Sequence, residues 1–238
     1  MKVAQPPACT NCQTRDNNII LKDCPIDRLE QLNENKSCVA YEKGQNLFHE
    51  CQPSLGVFCL FTGKVKIFRT GPHGREHIVR LAKPGDLIGY RALLGDESYT
   101  ATAVTLEDST ACFVPKEEFL TAIKGDNPNI FSRLFKLLSR DLAEAERRLT
   151  NMAQKSVRER LAEAILLMDA SYGQKNGNSS MIDVMLSRED LANLVGTATE
   201  TVIRLLSEFK DERLIRNEGK KIRILDRKHL MRVASLTD

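Results

Sequence analysis

The spacing of apolar residues changes character along the chain. Between residues 38 and 115, short apolar segments alternate with Gly, Pro and Asp turns, and this spacing predicts β-strands. The predicted strands are residues 56–61, 64–69, 76–81, 100–106 and 110–114. The run Gly71-Pro72-His73-Gly74 predicts a hairpin turn. Many short antiparallel strands within roughly 80 to 100 residues favour a jelly roll or similar barrel, which can enclose one small ligand.

A helical period of apolar residues begins near residue 128 and continues for about three heptads. Its apolar side chains follow two lines, offset as the a and d positions of a heptad. They are Phe131, Phe135, Leu138, Leu142, Ala145, Leu149 and Met152, hereafter the seam. Two such lines favour a coiled coil with a partner helix over a helix packed only on its own barrel. A second helix is predicted over residues 157–170, followed by a loop over residues 172–178, and a short helix over residues 26–33.

Residues 186–209 predict two short helices joined by a tight turn. Ser187 with Asp190 forms a capping-box pattern, and Gly196 supplies a left-handed turn residue. Thr197, with Glu200 three residues later, is expected to begin the second helix. The apolar residues that can close a core between the helices are Leu191, Val195, Val202, Leu205 and Leu206. This spacing is typical of a DNA-binding helix-turn-helix, with an ordinary helical hairpin as the alternative.

A hairpin is predicted directly after these helices. The apolar segments 214–216 and 222–225 flank Asn217-Glu218-Gly219-Lys220, and a hairpin beside a helix-turn-helix is a wing. Between residues 204 and 232 there are ten Lys or Arg against five Asp or Glu, although the formal net charge of the whole chain is only +3. This local excess of positive charge suits a surface that lies near phosphates.

The outward face of the second helix predicts what it can bind. If the apolar residues face inward, Thr199, Glu200, Ile203 and Arg204 face outward. Arginine can donate two hydrogen bonds to a guanine edge, and glutamate can accept one from a cytosine amino group. An ion pair between Glu200 and Arg204 is the alternative use of these two side chains. The expected DNA-binding residues are Thr197, Thr199, Glu200, Thr201, Ile203, Arg204 and Lys220.

Composition narrows the class of protein. The chain has 238 residues, of which 42% are hydrophobic and 28% charged, as expected for one large or two moderate globular domains. It contains no apolar run of bilayer length and no apolar signal region at its start, so we expect a cytoplasmic protein with no membrane partner. Seven cysteines in a reducing compartment predict free thiols, metal ligands or redox groups rather than a disulfide framework.

The order of barrel, seam helix and winged helix-turn-helix resembles the CRP/FNR family of bacterial transcription regulators over nearly the whole chain. The motifs that carry the resemblance are Lys83-Pro84-Gly85-Asp86-Leu87-Ile88-Gly89, Gly63-Lys64-Val65-Lys66, Gly74-Arg75-Glu76, Val195-Gly196-Thr197 and Glu200-Thr201-Val202-Ile203-Arg204. The resemblance implies an α+β chain. Its parts are a cysteine-containing segment 1–25, a β jelly-roll sensor domain 26–126, a dimerisation helix 127–155 and a winged helix-turn-helix domain 156–238. It also implies a homodimer that binds an inverted repeat in double-stranded DNA and contacts RNA polymerase.

Departures from the family pattern bear on the effector and on the DNA sequence. Members that bind cyclic AMP carry Glu after the barrel glycine and an Arg-Ser pair for the phosphate. Here Tyr90 follows Gly89, and Tyr99 and Thr100 stand where Arg-Ser is expected. Without an arginine fork a buried phosphate lacks its main contacts, so the chain resembles FNR rather than cyclic-AMP-binding CRP. Arg91, the residue after Tyr90, is the alternative contact for a phosphate. Ile203 replaces the Ser of FNR-like members and the Gly of CRP.

The cysteines add a second expectation from the resemblance. FNR-like oxygen sensors hold a four-iron cluster with three cysteines near the amino terminus and one in the last barrel strand. The matching residues here are Cys9, Cys12, Cys24 and Cys112, although Cys24 lies farther from Cys12 than usual. Four thiolates suit a 4Fe-4S cluster and also zinc, and unligated thiols are the third alternative. The remaining cysteines are expected to be packing residues: Cys38, Cys51 and Cys59.

Two other classes of function are weighed against a DNA-binding regulator. An enzyme is not expected, because the sequence contains no G-x-S-x-G, phosphate-loop or H-E-x-x-H motif. His73 and His77 are four residues apart, but they lie on the predicted hairpin rather than on a helix. A ligand-binding module of the same barrel fold that acts through protein partners remains the alternative. We therefore expect a sequence-specific transcription regulator controlled by a signal sensed in the barrel or at the amino-terminal cysteines.

Overall fold

The computed structural model describes residues 2–18, 20–124, 128–176, 179–219 and 221–236. The chain divides into two compact units. The first contains Met1–Gly71 and Val79–Ala143, and the second contains Pro72–Ile78 and Glu144–Asp238. None of the described helices combines the length and apolar character that crossing a bilayer requires.

The first unit is built from short strands and four helices in the part of the chain that is described. Single 3-10 turns at Cys9–Asn11, Arg15–Asn17 and Leu21–Asp23 lie between β1 and α1. In chain order the strands and helices are β1 (Lys2–Val3), α1 (Ile26–Asn35), β2 (Ser37–Tyr41), β3 (Asn46–Phe48), β4 (Gly56–Thr62), β5 (Val65–Thr70), β6 (Glu76–Ala82), β7 (Leu87–Ile88), α2 (Tyr90–Leu94), β8 (Thr102–Thr105), β9 (Ser109–Pro115), α3 (Lys116–Lys124) and α4 (Pro128–Gln154).

The strands form two sheets, which confirms the expected jelly roll. One sheet has the order β1-β2-β9-β4-β7 and the other the order β3-β8-β5-β6. Large apolar side chains fill the space between the sheets, among them Phe48, Phe58, Leu60 and Ile67. All five predicted strands are present, each within two residues of its predicted ends.

A second core lies outside the barrel, where helices cover one face of the larger sheet. Its buried residues include Leu29 and Leu32 of α1, Val57 of β4, Phe119 of α3 and Ile130 at the start of α4. By contrast, the side chain of Ile26 is 67% exposed. Ile26 is the first residue of the helix, and helical side chains lean toward the amino terminus, so this one points past the end of the core.

The long helix α4 carries the predicted seam on its surface. Five of its large seam side chains are exposed, from 43% for Met152 to 72% for Leu149. Leu138 is half-buried and, with the buried Leu134, packs against the second core. Phe131 and Phe135 pack edge to face, with ring centroids 4.8 Å apart, and each remains 56% exposed. Among the described residues, five large apolar side chains of the seam are therefore exposed along this helix.

The second unit contains the carboxy-terminal elements. They are α5 (Val157–Tyr172), β10 (Gly173–Asn176), β11 (Ser179–Ile182), α6 (Arg188–Val195), α7 (Thr199–Asp211), β12 (Ile215–Glu218), β13 (Lys221–Ile224) and α8 (Arg227–Val233). Their strands form a sheet of order β10-β11-β13-β12. The predicted wing is present as β12 and β13. The prediction of a loop after α5 is wrong where β10 pairs with β11, because a Gly-Gln-Lys-Asn strand has no apolar alternation to signal it.

Candidate nucleic-acid interface

The first helix of the pair begins at a complete capping box. The amide of Asp190 donates to Ser187 Oγ at 2.9 Å, and the amide of Ser187 donates to Asp190 Oδ2 at 3.0 Å. These bonds satisfy two amides that the helix itself leaves unpaired. Leu191 and Ala192, which follow in α6, are each 1% exposed. The predicted start and inward face of this helix are confirmed.

The turn between the helices is set by Gly196, which has φ +73° and ψ +55°. A Cβ at this position would lie 2.4 Å from Cε of Met152, a flexible side-chain end that can move, so the left-handed backbone conformation is what favours glycine. The amides of Gly196 and Thr197 both donate to the carbonyl of Ala192, at 2.8 and 3.1 Å. This ends α6 with its last carbonyls satisfied.

The predicted start of the second helix is wrong by two residues. The helix α7 begins at Thr199, with Ala198 as a cap residue that supplies no side-chain bond. The predicted cap of Thr197 by Glu200 does not form, because the amide of Thr197 completes the preceding turn and Ala198 carries the first helical bond, from Val202. Thr197 therefore lies half-buried in the turn, and Glu200 is an exposed residue of the first helical turn.

The inward face of α7 is tightly buried and the opposite face is exposed. Val202, Leu205, Leu206 and Phe209 are at most 4% exposed. Thr199 and Thr201 are half-buried, and Glu200, Ile203, Arg204 and Ser207 are exposed. A helix of this kind offers one row of side chains to a partner, as the second helix of a helix-turn-helix does in the major groove.

Arg204 is held by a different carboxylate from the one expected. Its guanidinium donates to Glu208, one turn farther along α7, rather than to Glu200. Glu208 also accepts from Arg158 of α5 at 2.9 Å, and Arg158 bonds both oxygens of Glu212 at 2.7 Å. The side chain of Arg204 is nevertheless 65% exposed. This arrangement orients the guanidinium and leaves Glu200 outside the pair.

Two arginines of α5 that the sequence did not single out contact the helix pair, Arg158 at α7 and Arg160 at the end of α6. Arg158 lies over the ring of Phe209, 4.8 Å from its centroid, and so fixes α5 against α7. Arg160 donates to the carbonyl of Val195 at 3.1 Å, at the end of α6 where a positive charge is favourable. Both belong to α5, which the sequence predicted only as a helix, so their roles depend on the packing of α5.

The wing carries its own ion pairs. Arg223 donates to both oxygens of Glu218, at 2.6 and 3.0 Å, and Arg216 donates to Glu218 at 2.9 Å. Hydrogen bonds from Arg223, and then from Arg216, lower the pKa of Glu218 to about 2, so it stays ionised at neutral pH. The side chain of Arg216 is 59% exposed. Lys220, the expected wing contact, lies outside the described residues.

In the first unit, Tyr90, which follows Gly89, is buried and makes its hydrogen bond within the chain. Tyr90 is 1% exposed, and its hydroxyl donates to the carboxylate of Asp141 on α4. Burial raises the pKa of this hydroxyl above its usual range, so it remains a donor. Arg80 lies 3.5 Å from the hydroxyl and 3.7 Å from Asp86, and Arg91 lies 4.0 Å from Asp141. These contacts join β6, α2 and α4.

Tyr99, which stands where members that bind cyclic AMP carry the arginine, is also buried. Tyr99 is 5% exposed and stacks on Phe48, with ring centroids 3.8 Å apart. Its hydroxyl donates to the carbonyl of Gly56 at 2.8 Å. Burial raises the pKa of this hydroxyl to about 12. The ring therefore occupies barrel interior and offers no positive charge to a phosphate.

Three of the cysteines form a row across neighbouring strands. Cys112 of β9 lies opposite Cys38 of β2 on one side and opposite Cys59 of β4 on the other. Burial raises the pKa values of Cys59 and Cys112 well above the usual range. After burial, the neighbouring Cys38 thiol is the next cause of the raised pKa of Cys112. Cys51, expected to be a packing residue, is instead exposed in a turn with φ +69°.

The amino-terminal cysteines approach this row from the neighbouring segment. Cys9 lies in a short 3-10 turn and packs against the outer core, as does Cys59. Lys36 donates to Cys9 Sγ at 3.4 Å. Burial raises the pKa of Cys24 to about 11. Among the residues that the structure describes, no three His, Cys, Asp or Glu side chains stand close enough to share one metal ion.

The fold and these surfaces define a DNA-binding protein with a sensor-type barrel, and comparison with known proteins agrees. Residues 38–126 match the cyclic nucleotide-binding domain family, and residues 159–233 match the Crp-like helix-turn-helix domain family. The CRP-like cAMP-activated global transcriptional regulator of Mycobacterium tuberculosis is 30% identical over 82% of this chain and 87% of its own length. The fumarate and nitrate reduction regulatory protein of Vibrio cholerae is 27% identical over 91% of this chain and 85% of its own.

A solved structure shows the same fold. FixK2 from Bradyrhizobium japonicum superimposes with a TM-score of 0.75, at 24% identity, over 85% of this chain and 99% of that one. The chain belongs to the CRP/FNR family of DNA-binding transcription regulators. Membership confirms the expectation of a transcription regulator that is not an enzyme, and it favours that expectation over a barrel module acting through protein partners.

Proposed function

We propose that the chain acts as a homodimer that binds an inverted repeat, with α7 of each copy in the major groove. The observation that carries this proposal is the seam, because five large apolar side chains of α4 are 43% to 72% exposed along one line. Burying them against a second copy gains roughly 25 cal/mol per Å² of apolar surface. A twofold dimer presents two reading helices, and its half-sites lie about one helical turn, roughly 10 bp, apart.

The base contacts belong to the exposed face of α7. Arg204 donates to a guanine edge and Glu200 accepts from the cytosine of the same pair. The observed bond between Arg204 and Glu208 supports this assignment, since it leaves Glu200 outside the ion pair and the Arg204 side chain 65% exposed. Thr197, Thr199 and Thr201 then lie near the backbone or the neighbouring bases, and Lys220 of the wing lies near phosphate. RNA polymerase is the protein partner and the cytoplasm the location, as predicted from the sequence.

The effector of the barrel is not a cyclic nucleotide. The cyclic-AMP activation in the name of the Mycobacterium tuberculosis relative belongs to that protein. Here Tyr90 and Tyr99 are buried, and each hydroxyl already donates within the chain. A nucleotide would have to break these bonds and would find the charge of Arg80 partly neutralised by Asp86. These observations support a chain that is FNR-like rather than CRP-like in its signal.

The metal prediction at Cys9, Cys12, Cys24 and Cys112 rests on the resemblance to FNR-like proteins. An all-sulfur set suits a 4Fe-4S cluster or zinc, and unligated thiols remain the alternative. Since no three described side chains are close enough to share an ion, binding would require these cysteines to move closer together. An iron–sulfur cluster would supply one-electron chemistry and sensitivity to oxygen. Iron content and visible absorption of protein purified without oxygen decide among the three.

The dimer does not depend on the cysteines. Ala145 is exposed in the seam, where a family member that dissociates on cluster loss is expected to carry an acid. An apolar seam has no buried repulsion to offset its burial. Any redox signal would therefore reorient the reading helices within a dimer rather than assemble it.

Two measurements test the proposed function. Sequences selected from random DNA should contain an inverted repeat, and sedimentation at micromolar concentration should give a dimer with and without oxygen. Selection of no preferred sequence contradicts the DNA proposal. A monomer in air that becomes a dimer without oxygen contradicts the constitutive dimer and supports the cluster.

A further inference from the structure

The reading face of α7 contains one large apolar side chain. Ile203 is 53% exposed, and it lies between Glu200, three residues before it, and Arg204, directly after it. Ser207, one turn farther along, is exposed as well. The described face is otherwise polar, so Ile203 is an apolar patch within a row of hydrogen-bonding groups.

The exposure of Ile203 is not explained by the helix itself. Isoleucine is a weaker helix former than leucine, lysine or glutamate, because its branched Cβ loses rotamer freedom against the preceding turn. The inward side of α7 is already filled by Val202, Leu205, Leu206 and Phe209. Neither helix propensity nor the core of this unit therefore requires isoleucine at this position.

The major groove offers one apolar group on its base edges in ordinary DNA, the C5-methyl of thymine. An isoleucine on a helix in that groove can make no hydrogen bond to a base, but it can cover this methyl. Its branched side chain has one strongly preferred rotamer in a helix, so little rotamer entropy is lost on contact. The hydrogen-bonding neighbours Glu200 and Arg204 would read an adjacent pair at the same time.

We propose that Ile203 packs on the C5-methyl of a thymine next to the G·C pair read by Arg204 and Glu200, and so makes thymine the preferred base there. This inference rests on the proposed function of α7 as the base-reading helix. It assigns a chemical basis to one position of each half-site, and it predicts that 5-methylcytosine substitutes for thymine better than cytosine does.

The experiment uses the full-length protein and its selected inverted repeat, with each thymine in turn replaced by deoxyuridine in both half-sites. This replacement removes a single methyl group and changes no hydrogen bond. At one thymine position we expect affinity to fall about fourfold per half-site, from the loss of one buried methyl. Deoxyuridine outside the half-sites is the control and should change nothing.

Variants of Ile203 connect this methyl to the side chain. Ile203→Ala should bind the thymine and deoxyuridine sites equally, while Ile203→Val should keep most of the discrimination. Ser207→Ala, on the same face one turn away, is the matched control and should discriminate as the unmodified protein does. Circular dichroism checks that each variant folds.

The outcomes separate this inference from the function on which it rests. If the protein selects no DNA sequence, the proposed function itself fails. If it binds a selected repeat but no deoxyuridine replacement weakens binding, the DNA proposal stands and the role of Ile203 is wrong. Discrimination that persists in Ile203→Ala also overturns the inference, because another residue must then contact the methyl.

Discussion

Polar side chains are exposed on one face of α7, the proposed base-reading helix, whereas two tyrosine hydroxyls of the barrel unit are buried. On α7, Glu200 and Arg204 are exposed along one face, and Arg204 pairs with Glu208 one turn farther along the same helix. In the barrel unit, Tyr90 and Tyr99 are 1% and 5% exposed, and each hydroxyl donates to an acceptor inside the chain. One region leaves its hydrogen-bonding groups exposed, and the other pairs them within the chain.

This difference has a physical cost for any molecule that would enter the barrel unit. A buried polar group that loses its partner costs about 1–3 kcal/mol, so an effector near Tyr90 or Tyr99 must replace the bonds that it breaks. DNA approaching α7 meets groups already surrounded by water. The contrast therefore favours a preformed DNA-reading surface and a barrel whose response does not resemble the capture of a phosphate.

The largest expected effect concerns the pairing of two reading helices. Leu142, 62% exposed in the seam, should tolerate no charge, because Leu142→Glu would bury carboxylates between two copies. We expect sedimentation to give a monomer and affinity for the inverted repeat to fall by about 100-fold or more, as one half-site is lost. Arg140→Glu, at an exposed position off the seam, is the control and should remain a dimer. If Leu142→Glu also remains a dimer, the seam is not the interface.

Arg204→Ala tests the reading face itself. Loss of a two-bond contact to guanine should cost about 1–3 kcal/mol per half-site and relax the preference at that base pair. Lys210→Ala, at an exposed position of the same helix, is the matched control and should leave base preference unchanged. Binding to a panel of sites with every base at that pair measures both quantities. Equal weakening on all sites would mean that Arg204 contacts phosphate. The proposal that the exposed face of α7 reads bases through Arg204 would then be wrong.

Two tyrosine variants test the barrel side of the comparison by chemical denaturation. Tyr90→Phe removes a bond to a carboxylate and should lower the free energy of unfolding by about 1.5–3 kcal/mol, whereas Tyr99→Phe removes a bond to a carbonyl and should lower it by about 0.5–1.5 kcal/mol. Each substitution removes one phenolic hydroxyl, so the difference between the two losses reports the difference between the two hydrogen bonds. A smaller loss for Tyr90→Phe than for Tyr99→Phe would contradict the bond to Asp141 as a stabilising contact.

The smallest expected effect is the response to cyclic nucleotides. Calorimetry with cyclic AMP or cyclic GMP should detect no binding at micromolar concentration, and neither should raise DNA affinity, because both tyrosines are engaged within the chain. Micromolar binding together with a gain in DNA affinity would overturn this and would make Arg80 or Arg91 the first candidate for the phosphate contact.

The predictions made from sequence succeeded where the interactions were local. The capping box of Ser187 and Asp190 spans four residues, and Gly196 meets its turn by its own backbone freedom. The inward and outward faces of α7 follow from a period of 3.6 residues, and the strands of the barrel from alternation and turns. These features depend on neighbours within one or two helical turns or along one strand, so they are visible in the order of residues.

Only the tertiary structure decided the features that join distant segments. The row of Cys38, Cys112 and Cys59 depends on the register of three strands, and a slip of one residue would reverse their side chains. The bond from Tyr90 to Asp141 joins residues 51 positions apart. One local prediction also failed: Thr197 does not cap α7, because its amide donates to the carbonyl of Ala192. Sequence patterns encode propensity and period, but the partners of a buried thiol or hydroxyl are set by packing between elements.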